Sequence, residues 1–250
     1  MIQNNNSIAS SILSAHQPNF LPWLGYFSKI NQSHIFVFSD DVHYSKQQNV
    51  NRATFLDSCG NEFLWHIPIK KNPDGRIYEK LICHDERRVF ARGASKIRIE
   101  YRKAPFFDEL LDFIDQIERA FDSIKSLAEF NIFCIEKISN HLKIESIFLR
   151  GSNYGLQNYS ANERLLYRAK VLEIPIYLCG LGASGYQDDK WLIERGMKIH
   201  YVNYSELNFY GDDLRHSILH LISLYGLNNL KNFIVNSSFR AGEKEDASKI

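Results

Sequence analysis

His16 heads the most unusual stretch of the chain, His16-Gln17-Pro18-Asn19-Phe20-Leu21-Pro22-Trp23-Leu24-Gly25-Tyr26-Phe27. It closes a short β-prone run, Ile12–Ala15, and two prolines bracket Asn19-Phe20-Leu21, restricting the backbone on both sides. An imidazole held at a rigid strand end can move protons near neutral pH. The plainer alternative is a buried histidine satisfied by a carbonyl, with Trp23, Tyr26 and Phe27 filling core. Asp40 and Asp41 end a second such run, Ile35–Phe38. If strand alternation persists, their carboxylates face opposite sides, so one of them can orient His16 or hold a substrate amine. A solvated, strand-ending turn is the alternative.

Two more loops offer polar or anion-binding groups. Gly151-Ser152-Asn153 follows the run Ser146–Leu149, and Gly180-x-Gly182-x-x-Gly185 follows Pro175–Cys179. The glycine spacing matches the letters of the dinucleotide fingerprint, but no ribose-binding acid is clearly placed about 20 residues on, Glu206 being the nearest candidate. A loop of backbone amides around an anionic group, assisted by Ser184, fits better, and a tight turn is the alternative. Between Arg87 and Lys103, seven basic residues face the single acid Glu100. Such a run can clamp a diphosphate or touch an RNA backbone, although it is more often a solvated face. His216 and His220 stand four apart, a spacing open to zinc, but with no HExxH and with Leu219 and Leu221 beside them they read as packing; no metal site is expected. No nucleophile elbow and no phosphate-binding P-loop occurs.

The elements that must position these residues are α/β. The three runs at 12–15, 35–38 and 64–69 read as strands. From Pro105, Phe107, Leu110, Leu111, Ile114, Ile117 and Phe121 keep helical spacing, and Leu127 to Leu142 repeats it, giving a helical middle segment. Then strands at 146–149, 175–179 and 198–201 alternate with helices at 160–172 and 188–194, Gly196 ending the latter. Ser160-x-x-Glu163 is a capping box for the first of these helices. Alternation of this kind predicts a mainly parallel central sheet flanked by helices, with ligands outside the carboxyl ends of its strands. Residues 1–10 and 236–250 read as flexible ends around one domain over 11–235.

A length of 250 residues and 44% hydrophobic composition are enough for a large core, and a net charge of +1 argues against a wholesale polyelectrolyte partner. No run approaches a membrane-spanning helix, and MIQNNNSIASSIL lacks a secretory pattern. Cys59, Cys83, Cys134 and Cys179 form no CxxC pair, which fits reduced thiols in a cytoplasm.

The His16–Phe27 block, Phe36-Val37-Phe38-Ser39-Asp40-Asp41-Val42-His43-Tyr44-Ser45-Lys46 and Asn51-Arg52 resemble the opening of WbqC-like proteins. Ile67-Pro68-Ile69, Tyr101-Arg102-Lys103-Ala104-Pro105-Phe106-Phe107, Asn162-Glu163-Arg164-Leu165 and Tyr177-Leu178-Cys179-Gly180 extend the resemblance over roughly residues 13–233. The chain departs from that pattern at Gln48-Asn49-Val50, where an aromatic is usual, and at His220, where an aspartate is usual. The resemblance implies a cytoplasmic step of bacterial O-antigen or other surface-polysaccharide biosynthesis, with an aminoacyl (glycine) transferase role. On that reading His16 is the base toward the amine of a nucleotide-linked amino sugar and Asp41 orients it. Gln17, Asn19, Asp40, Asn51, Ser152, Gly182 and Ser184 contact substrate, while Trp23 and Tyr44 stack on base or sugar. Lys46, Arg52, Arg98 and Arg102 hold phosphates. No cofactor is needed, but an activated amino-acid donor is, such as an aminoacyl-tRNA. A non-catalytic sugar-nucleotide-binding or assembly protein of the same pathway is the alternative.

Overall fold

The computed structural model describes residues 11–46, 48–71, 75–180, 182, 187–202, 211 and 213–236. Five short strands form its central sheet: β1 (Ile12–His16), β2 (Ile35–Phe38), β5 (Ile147–Arg150), β6 (Ile176–Cys179) and β7 (Lys198–Tyr201). They lie in the order β5-β2-β1-β6-β7, and every pair is parallel. The fold is α/β, as the alternating elements predict. β1 sits at the centre, with β2 and β5 on one side and β6 and β7 on the other. The chain therefore reverses direction between β1 and β6, and their carboxyl ends open a crevice there.

Residue alternation gives each face its own cover. Leu13, Val37, Tyr177 and Cys179 pack with Leu165 and Ala169 of α5 (Ala161–Val171) and Leu192 of α6 (Asp189–Ile193). Phe36 and Phe38 face the other way, into a larger core with Tyr26, Phe27 and Ile30 of α1 (Leu24–Asn31). That core also takes in α2 (Arg87–Glu100), α3 (Phe107–Ser123), α4 (Leu127–His141), α7 (Ile218–Tyr225) and α8 (Leu227–Asn236). Phe90 and Phe121 stack there with ring centroids 3.9 Å apart.

Two elements differ from the sequence reading. The strand expected over 64–69 is β4 (Glu62–His66), paired antiparallel with β3 (Arg52–Leu56) in a separate two-stranded sheet. It stops before Pro68, which has no N–H for a ladder. The residues after Trp23, given no element in the sequence reading, form α1, and Trp23 lays its ring over Gly25, where a Cβ would stand 1.9 Å from Trp23 Cζ3. The segment before it is pinned from outside: Asn131 Nδ2 donates to Pro18 O at 2.8 Å and Val50 O at 2.6 Å. Leu21, buried between the prolines, holds a φ of +43°, which L side chains rarely adopt.

The capping box forms as read: Ser160 Oγ accepts from Glu163 N at 3.3 Å and Glu163 Oε2 from Ser160 N at 2.8 Å. Gly196 takes φ +90° after α6. All four cysteines are free thiols. Among the described residues no helix is long and apolar enough to cross a membrane. Residues 1–10 and 237–250 lie outside the described residues.

Candidate functional site

A cavity of about 390 Å³ opens in the crevice between β1 and β6. That volume is within the range of roughly 300–1,000 Å³ usual for small-molecule sites. His16 and Gln17 reach it from the end of β1, Ser39, Val42 and His43 from beyond β2, and Gly180 and Gly182 from beyond β6. Lys29 of α1 forms part of its floor, and Arg164 and Arg168 of α5 form a wall.

His16 Nδ1 stands 3.0 Å from Gln17 O. A carbonyl only accepts, so Nδ1 carries the proton and Nε2 is left with the lone pair. Burial, then the neighbouring Lys29 charge, lowers the imidazole pKa from 6.5 to about 4, with the Gln17 contact opposing. His16 is therefore neutral at pH 7 and a weak proton acceptor. Tyr26 holds the ring edge-on, with centroids 4.9 Å apart, and its hydroxyl donates to Gln17 O.

Lys29 is the group that sequence reasoning missed. It is buried, and its Nζ donates to Ala15 O at 2.8 Å. Burial lowers its pKa from 10.5 to about 8, while Cys179 nearby pulls it up. It is thus placed to exchange a proton close to neutral pH. The sequence signal is a lysine within the largely apolar run Leu24-Gly25-Tyr26-Phe27-Ser28-Lys29-Ile30, every residue of which the structure buries. Cys179 is not a nucleophile here, because burial pushes its thiol up to about 11, against the Gln187 contact.

The arginine wall is built around Asp41. Arg168 Nη2 lies 2.7 Å and Arg164 Nε 3.8 Å from Asp41 Oδ2, and the Arg76 guanidinium donates to Asp41 O and Gln157 O. Two guanidinium groups face the Asp41 carboxylate and a third, Arg76, holds its backbone carbonyl, leaving a positive surplus beside the cavity. Partial burial holds the Arg164 pKa below its ordinary value; Asp41 opposes this, and Arg168 and Arg76 add to it. Arg168 Nε is buried without a hydrogen-bond partner among the described residues. The packing requires glycine at 151, where a Cβ would meet Asp41 Oδ1 at 2.5 Å and Arg168 Nη2 at 2.6 Å. An anionic ligand group fits this wall.

The model of the WbqC-like protein family matches residues 17–215, spanning both the β1 loop and the arginine wall. The chain belongs to this family. Over 195 residues it is 24% identical to the uncharacterised protein Rv1507c of Mycobacterium tuberculosis, covering 75% of this chain and 80% of that relative. No solved structure matches.

In this WbqC-like chain, the cavity gathers His16, Gln17 and Gly182 from the residues expected in the site. The expected His16–Asp41 pairing is corrected: Asp41 faces Arg168 and Arg164, while the His16 ring faces Gln17 O and Tyr26. Asp40 is buried apart from the cavity lining and accepts from Arg150 Nε at 2.9 Å, Ser152 N at 2.7 Å and Ser152 Oγ at 2.8 Å. Asp40 and Ser152 therefore brace β2 against β5. Asn19 and Trp23 are packed into the protein and do not line the cavity. Tyr44 donates to Asn51 Oδ1 at 2.9 Å, and Asn51 donates to Ile67 O; with Arg52 they steady the start of β3. Lys46 is exposed outside the lining, and Ser184 lies outside the described residues.

The basic run is helix α2, away from the cavity lining. Arg98 pairs with Asp115 and Glu118 of α3 at 2.7 and 2.6 Å, and Arg102 donates to Ile99 O. Arg98 and Arg102, expected to hold phosphate, do not line the cavity, whereas Arg164 and Arg168 do, on a helix far in sequence from the β1 and β2 ends that they face.

Proposed function

We propose that this chain is a transferase of surface-polysaccharide (O-antigen) biosynthesis that places an aminoacyl group, glycine first of all, on the amino group of a nucleotide-linked amino sugar. Family membership supports the pathway. The observation that carries the chemistry is one cavity holding a cationic wall, a neutral imidazole and a lysine with a pKa of about 8.

Phosphate of the activated sugar sits against Arg164 and Arg168. His16 Nε2 accepts a hydrogen bond from the sugar amine and aligns it. The amine nitrogen attacks the acyl carbonyl, a C–N bond forms, and the ester of an aminoacyl-tRNA or a carrier thioester breaks. The amine proton passes to Lys29 Nζ in its deprotonated form, the minor form below pH 8, and then to the departing oxygen or sulfur. The competing reading is a non-catalytic sugar-nucleotide-binding protein of the same pathway, which the weak basicity of His16 favours.

Mass spectrometry of nucleotide-linked amino sugars incubated with the full chain and glycyl-tRNA or a glycyl thioester tests the proposal. A glycyl mass increment is expected, together with loss of an acyl substituent from the polysaccharide of a deletion strain. Sugar-nucleotide binding with no increment from either donor, and an unaltered polysaccharide, would overturn it in favour of the binder.

A further inference from the structure

Outside the cavity, metal-binding side chains converge where the chain turns into α7. A short turn at Asp213 is followed by His216, then by the N-cap Ser217, and His220 stands on the first turn of the helix. His216 N donates to Asp213 O at 3.0 Å, folding the aspartate back toward the histidines. One ligand atom from each of Asp213, His216 and His220 lies within 4.8 Å of the others. His220 Nε2 is 3.2 Å from Asp213 Oδ1, close to the edge of about 3.3 Å in a tetrahedron whose metal–ligand bonds are near 2.0–2.1 Å.

His216 supplies a second, independent observation. Its side chain is 4% exposed, and neither ring nitrogen has a hydrogen-bond partner among the described residues. The Glu62 carboxylate approaches Nε2 to 3.4 Å without hydrogen-bond alignment. A buried imidazole with unsatisfied nitrogens is costly, and it offers a lone pair to a cation.

We propose that Asp213, His216 and His220 bind one Zn2+ ion, with water as the fourth ligand. Two imidazole nitrogens and one carboxylate suit zinc and not magnesium, which takes oxygen ligands. His220 is already oriented for the role: its Nδ1 is 2.7 Å from the Tyr101 hydroxyl, which leaves Nε2 toward Asp213. Tyr101 in turn accepts from Leu56 N, and Ser217 N donates to Thr54 O. The ion thus closes the turn into α7, while the Tyr101 and Ser217 hydrogen bonds hold that turn against the end of α2 and β3. None of its ligands lines the cavity, so this site stands or falls apart from the proposed transfer.

Calorimetric titration of the full, chelator-stripped chain with Zn2+ tests the proposal. One equivalent is expected to bind and to raise Tm, whereas Mg2+ leaves Tm unchanged. Co2+ is expected to give the visible absorption of a four-coordinate ion. Asp213→Ala and His216→Ala each weaken Zn2+ binding by more than about 100-fold, and Tyr101→Phe weakens it by about tenfold. Circular dichroism without metal establishes that each variant folds; Asp213 is partly exposed and tolerates truncation if the buried histidine does not. Absence of stoichiometric Zn2+ binding to the wild type, or undiminished binding by the folded variants, would overturn the site. A six-coordinate Co2+ spectrum would overturn its geometry.

Discussion

Helix α2 carries four arginines and the α5 wall of the cavity two, yet the two helices use them differently. On α2 the charges are neighbours in sequence, and folding spreads them around a half-solvated helix. Arg87 meets Asp122 at 2.6 Å with both side chains about half exposed (53% and 49%). Such exposed pairs contribute little to stability because water screens them. At the cavity, Arg168 and Asp41 are 5% and 0% exposed. Arg164 stands one turn from Arg168 on the same helix, but Asp41, Arg76 and the nearby Lys29 reach them from distant parts of the chain. Charges close in sequence repel and are dispersed, whereas charges that meet in a dry crevice have been brought there by the fold, and such sites are where ionisation is tuned for chemistry.

The sharpest test of this contrast is Lys29→Met. Turnover in the glycyl-transfer assay is expected to fall by about 10²–10⁴, with affinity for the sugar nucleotide retained. The same variant is expected to be more stable than wild type at pH 7, because the native state no longer buries an ammonium. Since the native pKa of about 8 lies below the unfolded 10.5, wild-type stability gains on the variant as pH rises between those values, which urea denaturation at several pH values reads directly.

Asp41→Ala removes the carboxylate that faces Arg164 and Arg168. A loss of about 3–5 kcal/mol in chemical denaturation is expected, since Arg168 is left buried and unpaired. A loss below 1 kcal/mol would place that pair in the same class as the α2 surface pairs.

His16 sets the acid limb. Its native pKa of about 4 lies below the unfolded 6.5, so the stability it allows is full above pH 6.5 and is lost as pH falls through 4. The difference amounts to about 3 kcal/mol, and His16→Gln is expected to flatten the acid side of the stability profile by that amount. The smallest effect belongs to α2: Arg98→Ala is expected to cost less than about 1 kcal/mol and to leave ligand affinity unchanged.

How far the sequence discloses such features depends on the range of the interaction. The Ser160–Glu163 cap and the strand at 35–38 are decided by a few adjacent residues and form as read, whereas α6 is capped at Glu194 and Gly196 follows two residues later. The dense polar loop after β1 does lead to the cavity, through His16 and Gln17. Helix α1 was obscured because its start depends on Trp23 folding over Gly25, a contact that propensity does not encode. The partner of Asp41 was obscured for a similar reason: Arg168 stands 127 positions away, and alternation along β2 says nothing about which helix will cover it.

The reciprocal cap at Ser160 has a consequence for ligand recognition. It fixes where α5 begins, and Arg164 and Arg168 follow one and two turns later, so their height above the strand tips is set by an exposed serine that does not line the cavity. Sequence drift at that outer position would shift both guanidinium groups together while every residue lining the cavity stays the same.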